Sequence, residues 1–98
     1  MSQQETQAAE AFVEAIENQL DQMVAQADDD TLFISGYLRG HLMLSAGYLE
    51  MEDKFSIDNV IDKTNESLAT AIEAGELNEN DQQLVNTMWQ NLKQSAQS

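Results

Sequence analysis

The residues best suited to chemistry in this chain sit close together. Tyr37, His41, Ser45 and Tyr48 share one shoulder of a single helical stretch when positions are spaced at helical steps, and Arg39 lies on the polar side of the same stretch. Such a stripe can hold a small polar molecule, or a partner, through ring stacking and hydroxyl contacts. It can equally be the rim of a core, with rings packed inward and hydroxyls in water. His41 is the single histidine. It can act as a general base or a proton-sensitive group, or simply hydrogen bond to a tyrosine or a backbone group at the edge of the core. Arg39 can pair with nearby carboxylates or, partly buried, anchor an anionic group. Tyr37, Arg39, His41 and Tyr48 are therefore the candidate binding residues.

No catalytic or cofactor motif accompanies them. One histidine cannot supply the paired Glu-x-x-His ligands of a di-iron bundle. There is no cysteine, which removes disulfides, thiolate catalysis and Cys-based metal sites. Asp28, Asp29 and Asp30 lack the alternating ligands, glycine and distal glutamate of a calcium loop, and read better as a helix cap. Asp58, Asp62 and Glu66 recur every four residues, as on a solvated helix face. Nothing resembles a phosphate-binding glycine loop, a nucleophile elbow or a zinc-protease helix. No metal, no cofactor and no catalytic residue is expected.

The stretch carrying these residues is the unusual element. It is expected to run from about Asp30 to Glu52 and is apolar around most of its circumference. Leu38, Leu42 and Leu49 form one face. Gly36, Gly40 and Gly47 form a narrow strip flanked by Phe33, Met43, Leu44 and Met51. A helix apolar on two sides must bury both, as the centre of a bundle or against a second subunit. Each interior glycine costs roughly 1 kcal/mol relative to alanine, so three on one strip call for a gain elsewhere. The expected gain is close packing by a neighbouring helix on the bare backbone; a backbone-lined groove for a ligand or peptide is the functional counterpart.

The remaining sequence predicts three further helices. Ala9, Phe12, Val13, Ile16, Leu20, Met23, Val24 and Ala27 mark one apolar face over about Glu5–Ala27, with Glu10, Glu14, Glu17 and Asp21 as an acidic stripe beside it. Ser56 can cap a third helix, with Ile57, Val60, Ile61, Leu68, Ala71 and Ile72 as its apolar face and Gly75 as its stop. Asn78 can cap a fourth, buried through Leu84, Val85, Met88, Trp89 and Leu92. Residues 1–8 and 95–98 are expected to fray. There is no proline and no strand alternation. Short connections favour antiparallel neighbours, so the expectation is one all-α domain over residues 1–98, a four-helix up-down bundle with the glycine-containing second helix at its centre.

Composition narrows the partners. Eighteen acids against four bases give a net charge of −14 over 98 residues. Phosphate backbones and anionic membranes are repelled, so neither direct nucleic-acid binding nor membrane binding is expected. A basic partner or cations are attracted, while the plainer reading of the charge is solubility with no specific partner. The polar N-terminus lacks a signal-peptide pattern, and the most apolar stretch is interrupted by Arg39 and His41, so residence in the cytoplasm is expected.

The run Ser35-Gly36-Tyr37-Leu38-Arg39-Gly40-His41-Leu42 resembles the signature of the YfcL family, small bacterial proteins of uncharacterised function. Ala74-Gly75-Glu76-Leu77, then Asp81, Leu84-Val85, Met88-Trp89 and Leu92, are similar as well, as is the acidic lead-in to Leu32-Phe33. The resemblance covers residues 15 to 95 and departs at the Gln-rich N-terminus. It implies a compact helical cytoplasmic protein and brings no catalytic residues. The leading expectation is a non-enzymatic protein-interaction module with an unknown, basic protein partner. Two alternatives are a small-molecule binder or enzyme using the Tyr/His shoulder, and an acidic mimic of nucleic acid. The second apolar face also allows a homodimer.

Overall fold

In the computed structural model, which describes residues 3–97, four helices follow one another: α1 (Gln3–Val24), α2 (Asp29–Met51), α3 (Ile57–Glu73) and α4 (Glu79–Gln97). Side chains set their starts. The Asp28 carboxylate accepts from the Thr31 amide at 2.8 Å, the Ser56 hydroxyl from the Asn59 amide at 3.2 Å, and the Asn78 side chain from the Asp81 amide at 2.8 Å. Each satisfies one of the donors that a helix start leaves unpaired. The Thr31 amide also holds the Asp28 carboxyl below its ordinary range.

Helix ends are set by backbone turns. At the end of α3, Gly75 takes φ +80°, and the Glu76 and Gly75 amides reach back to the Ala71 and Ile72 carbonyls. The same paired bonds close α2, from Lys54 to Leu49 and from Asp53 to Glu50. There the left-handed position is Asp53, at φ 56°. A short polar side chain tolerates that region better than most.

The bundle is antiparallel. Arg39 of α2 meets Glu17 and Asp21 of α1, while Met43, Ala46 and Glu50 lie beside Glu10, Glu14 and Glu17. Along α3, Tyr48 lies by Lys63 and His41 by Ser67. In both pairs the numbering runs in opposite directions. α2 packs against all three other helices, and so does α1; α3 and α4 meet least. Ile34, Leu38 and Leu42 of α2 are fully buried with Ile16, Leu20, Val60 and Val85. Phe55 and Leu77, in the connections, close the two ends of the core. Thr64 is buried in α3 with its hydroxyl unpartnered.

The structure corrects two expectations. Gly36, Gly40 and Gly47 do not mediate close packing within the chain: a Cβ at any of them would meet nothing within 4 Å. Nor does α2 bury two faces. Its inward side is Ile34, Ser35, Leu38, Leu42, Ser45, Ala46 and Leu49. The glycines lie about half a helical turn around from it. All three neighbouring helices lie on the leucine side, so none remains for the other. Helix limits differ too. α1 stops at Val24, three residues short of Ala27, and Val24 is exposed. The first helix starts at Gln3 and the last ends at Gln97, with Ala9 fully buried and Ala96 packed on the core. Fraying at 1, 2 and 98 concerns positions outside the described residues.

The open glycine strip has a direct thermodynamic consequence. Gly40→Ala is expected to raise stability by roughly 1 kcal/mol, since the methyl meets no neighbour and helix propensity alone changes. Urea unfolding of the two chains measures it, and a destabilised variant would mean that the strip is covered.

Candidate functional site

Two surfaces of α2 carry the sequence-predicted residues. The first is the seam with α3. The Tyr37 and His41 rings meet at a tilt of 49°, with centroids 4.6 Å apart. The Tyr37 hydroxyl donates to Glu76 Oε1 at 2.9 Å, and His41 Nδ1 lies 2.6 Å from the Ser67 hydroxyl. Tyr48 is about two turns further on, with the Lys63 ammonium 5.5 Å from its ring centre. His41, Ser45, Tyr48, Lys63, Ser67 and Glu76 border an open cleft of about 310 Å³. His41 and Tyr48 thus do share a cavity. Tyr37 stands at its edge, in a shallower apolar groove with Gly36, Gly40, His41 and Leu44. Arg39 belongs to neither: it lies on the α1 side, paired with Asp21 and donating to the Glu17 carbonyl at 3.4 Å.

Sequence reasoning missed the partners. Ser67 and Glu76 complete the seam, and Asn65 accepts from the Trp89 indole at 2.6 Å, tying α4 to α3. None carries a local signal. Each is a common polar residue whose position matters only through an element distant in sequence.

Loss of water around its ring, then the neighbouring Glu76 carboxylate, push the Tyr37 hydroxyl up to about 12. A protonated tyrosine donates to a carboxylate, whereas a phenolate beside it is repelled. The seam is therefore a set of neutral and singly charged groups that bind one another, with no carboxylate hydrogen bonded to His41 among the described residues.

The second surface is the outward side of α2. Among the described residues, the large apolar side chains left exposed are Val24 of α1 and six from α2: Leu32, Phe33, Met43, Leu44, Tyr48 and Met51. Phe33, Gly36, Gly40, Leu44, Gly47 and Met51 follow at three- and four-residue steps, a continuous stripe along the helix. Leu44 is 58% and Met51 84% exposed. Scattered apolar exposure is ordinary, whereas a stripe on one helix is a candidate contact surface. No described helix is long and apolar enough to cross a membrane. No group of three or more potential metal ligands occurs among the described residues.

Comparison with known proteins places this geometry. Residues 10–94 match the family model described as YfcL protein. The chain is also similar to the uncharacterised protein YfcL of Escherichia coli strain K12, at 52% identity over 77 residues, 79% of this chain and 84% of that protein. No solved structure matches. The chain belongs to the YfcL family.

The seam makes a pH prediction. The Tyr37 value is raised in the folded chain, so its contribution to stability is complete below the ordinary tyrosine value of 10.0 and is lost as pH rises toward about 12. Ultraviolet titration of the phenols should show a step near 12 that disappears in Tyr37→Phe, and the variant should lose less stability than wild type between those values.

Proposed function

We propose that this member of the YfcL family is a non-enzymatic interaction module that docks a partner protein on the outward face of α2. One observation carries the reading: a stripe of exposed apolar side chains and bare glycines that none of the described residues covers. Exposed glycines in a helix interior lower stability, and exposed leucine, phenylalanine and methionine lower solubility. A partner covering the stripe offsets both. The bonded seam on the neighbouring side supports the reading by fixing α2 against α3, so that the stripe is presented on a rigid element.

A second reading, a small-molecule site or enzyme at His41 and Tyr48, has one observation in its favour, the 2.6 Å contact between His41 and Ser67 at the edge of an open cleft. A base touching a hydroxyl is the start of a nucleophilic pair, but that pair also requires a group orienting the base and donors for a developing oxyanion. Identical NMR responses of wild type and Ser67→Ala across a set of small polar molecules would dismiss it. The acidic-mimic reading gains nothing from the apolar stripe, and Arg39 neutralises one member of the α1 acidic row.

The interaction reading is tested in living cells with a photo-reactive side chain at position 44 on the stripe or, as a control, at exposed position 86 on α4. Light should yield a discrete adduct from position 44 that is absent from position 86, and it should weaken when Gly40→Leu fills the strip. Absence of any adduct particular to position 44 would end the reading.

A further inference from the structure

The charges around the stripe restrict what can cover it. Glu10, Glu14 and Glu17 of α1, with Glu50 of α2, border its Met43 side. Glu66 and Glu76 border the cleft beside Leu44 and Tyr48 on the other side. Asp29 and Asp30 stand at the start of α2, and Glu52 and Asp53 at its end. Meanwhile the four bases are all engaged within the chain. Arg39 pairs with Asp21, Lys54 with Glu52, Lys63 lies over Tyr48 and Lys93 over Trp89. Lys63 lines the same cleft as Glu66 and Glu76 and partly neutralises that border, whereas among the described residues no lysine or arginine lines the Met43 side with Glu10, Glu14, Glu17 and Glu50. A second copy would bring −14 against −14 with acidic borders face to face.

Shape adds a second restriction. From Phe33 to Met51 the stripe runs roughly 27 Å along one helix axis. Helical spacing puts bare backbone at Gly36, Gly40 and Gly47 along it, with Phe33 and Leu44 to one side and Met43 to the other. An apolar groove forms on its first half, lined by Gly36, Tyr37, Gly40, His41 and Leu44. A straight helix face of this length accepts the side-chain ridge of another helix, whose apolar residues recur at the same three- and four-residue steps. Two of the flanking residues, Met43 and Met51, are flexible enough to adjust to that ridge.

Resting on the interaction reading, we propose that the occupant is an amphipathic helix of another protein, with an apolar ridge in the glycine groove and lysine or arginine on both flanks. The ridge supplies burial, and the flanking cations meet the carboxylates of α1 on one side and of the α3 region on the other. Charge sets the orientation and speeds encounter, so binding weakens as salt rises.

The test uses the full chain, isotopically labelled, and three synthetic peptides of about 18 residues, long enough to span the stripe. The first carries leucine at helical spacing with lysine elsewhere. The second has the same composition in scrambled order, and the third has glutamate in place of lysine. The first should shift the amides of residues 33–51 and bind at least about tenfold more tightly than either other peptide. Gly40→Leu should weaken it by about tenfold or more while leaving the unfolding midpoint unchanged or raised. Equal binding of the scrambled peptide, shifts centred on α4, or unaltered binding by Gly40→Leu would overturn the proposal. The photo-adduct at position 44 separates the two levels. An adduct with a second copy, or with an acidic or extended segment, sinks the basic helix and leaves the interaction module standing. No adduct removes both.

Discussion

Everything distinctive about this molecule follows from the one-sided burial of α2. Leu38, Leu42 and Leu49, with Ile34 and Ala46, sit against the other three helices. An α-helix repeats every 3.6 residues, so once those positions point inward the orientations of all others are fixed. Gly36, Gly40 and Gly47 then face away, and Tyr37, His41 and Tyr48 fall on the α3 side. Arg39 falls on the α1 side. Core, seam and exposed stripe are three readings of the same helical repeat.

The edges of α2 are joined to their neighbours by different means. Toward α1 there is an ion pair, Arg39 with Asp21, beside a row of carboxylates. Toward α3 and the turn after it there are hydrogen bonds, His41 to Ser67 and Tyr37 to Glu76. Exposed ion pairs contribute little and weaken with salt. The bond from Tyr37 to Glu76 also pins the turn after Gly75, which sets where α4 begins.

Net charge and apolar exposure work against each other here. Eighteen carboxylates give copies of the chain a mutual repulsion. Under the proposed reading, the same charge favours a cationic partner on the stripe. Membership of the YfcL family brings no activity with it, so the functional reading rests on this surface alone.

The number and order of the helices were legible in the sequence, as were Ser56, Asn78 and Gly75 at helix ends and the aspartate run 28–30, of which Asp28 supplies the cap. These are local features: apolar periodicity and turn chemistry depend on residues a few positions apart. The apolar inward residues of α3 and α4 were largely legible for the same reason, because each helix has a single apolar face, but the fully buried Thr64 of α3 was not, since a threonine carries no apolar signal. α2 has two, and periodicity alone cannot say which one the fold buries. Only the tertiary arrangement decided that the leucines go inward and the glycines stay open, since the choice depends on how many neighbours lie on each side. It also decided that His41 meets Ser67 and Tyr37 meets Glu76. Those partners are 26 and 39 residues away in sequence and are brought together only when α2 and α3 pack antiparallel.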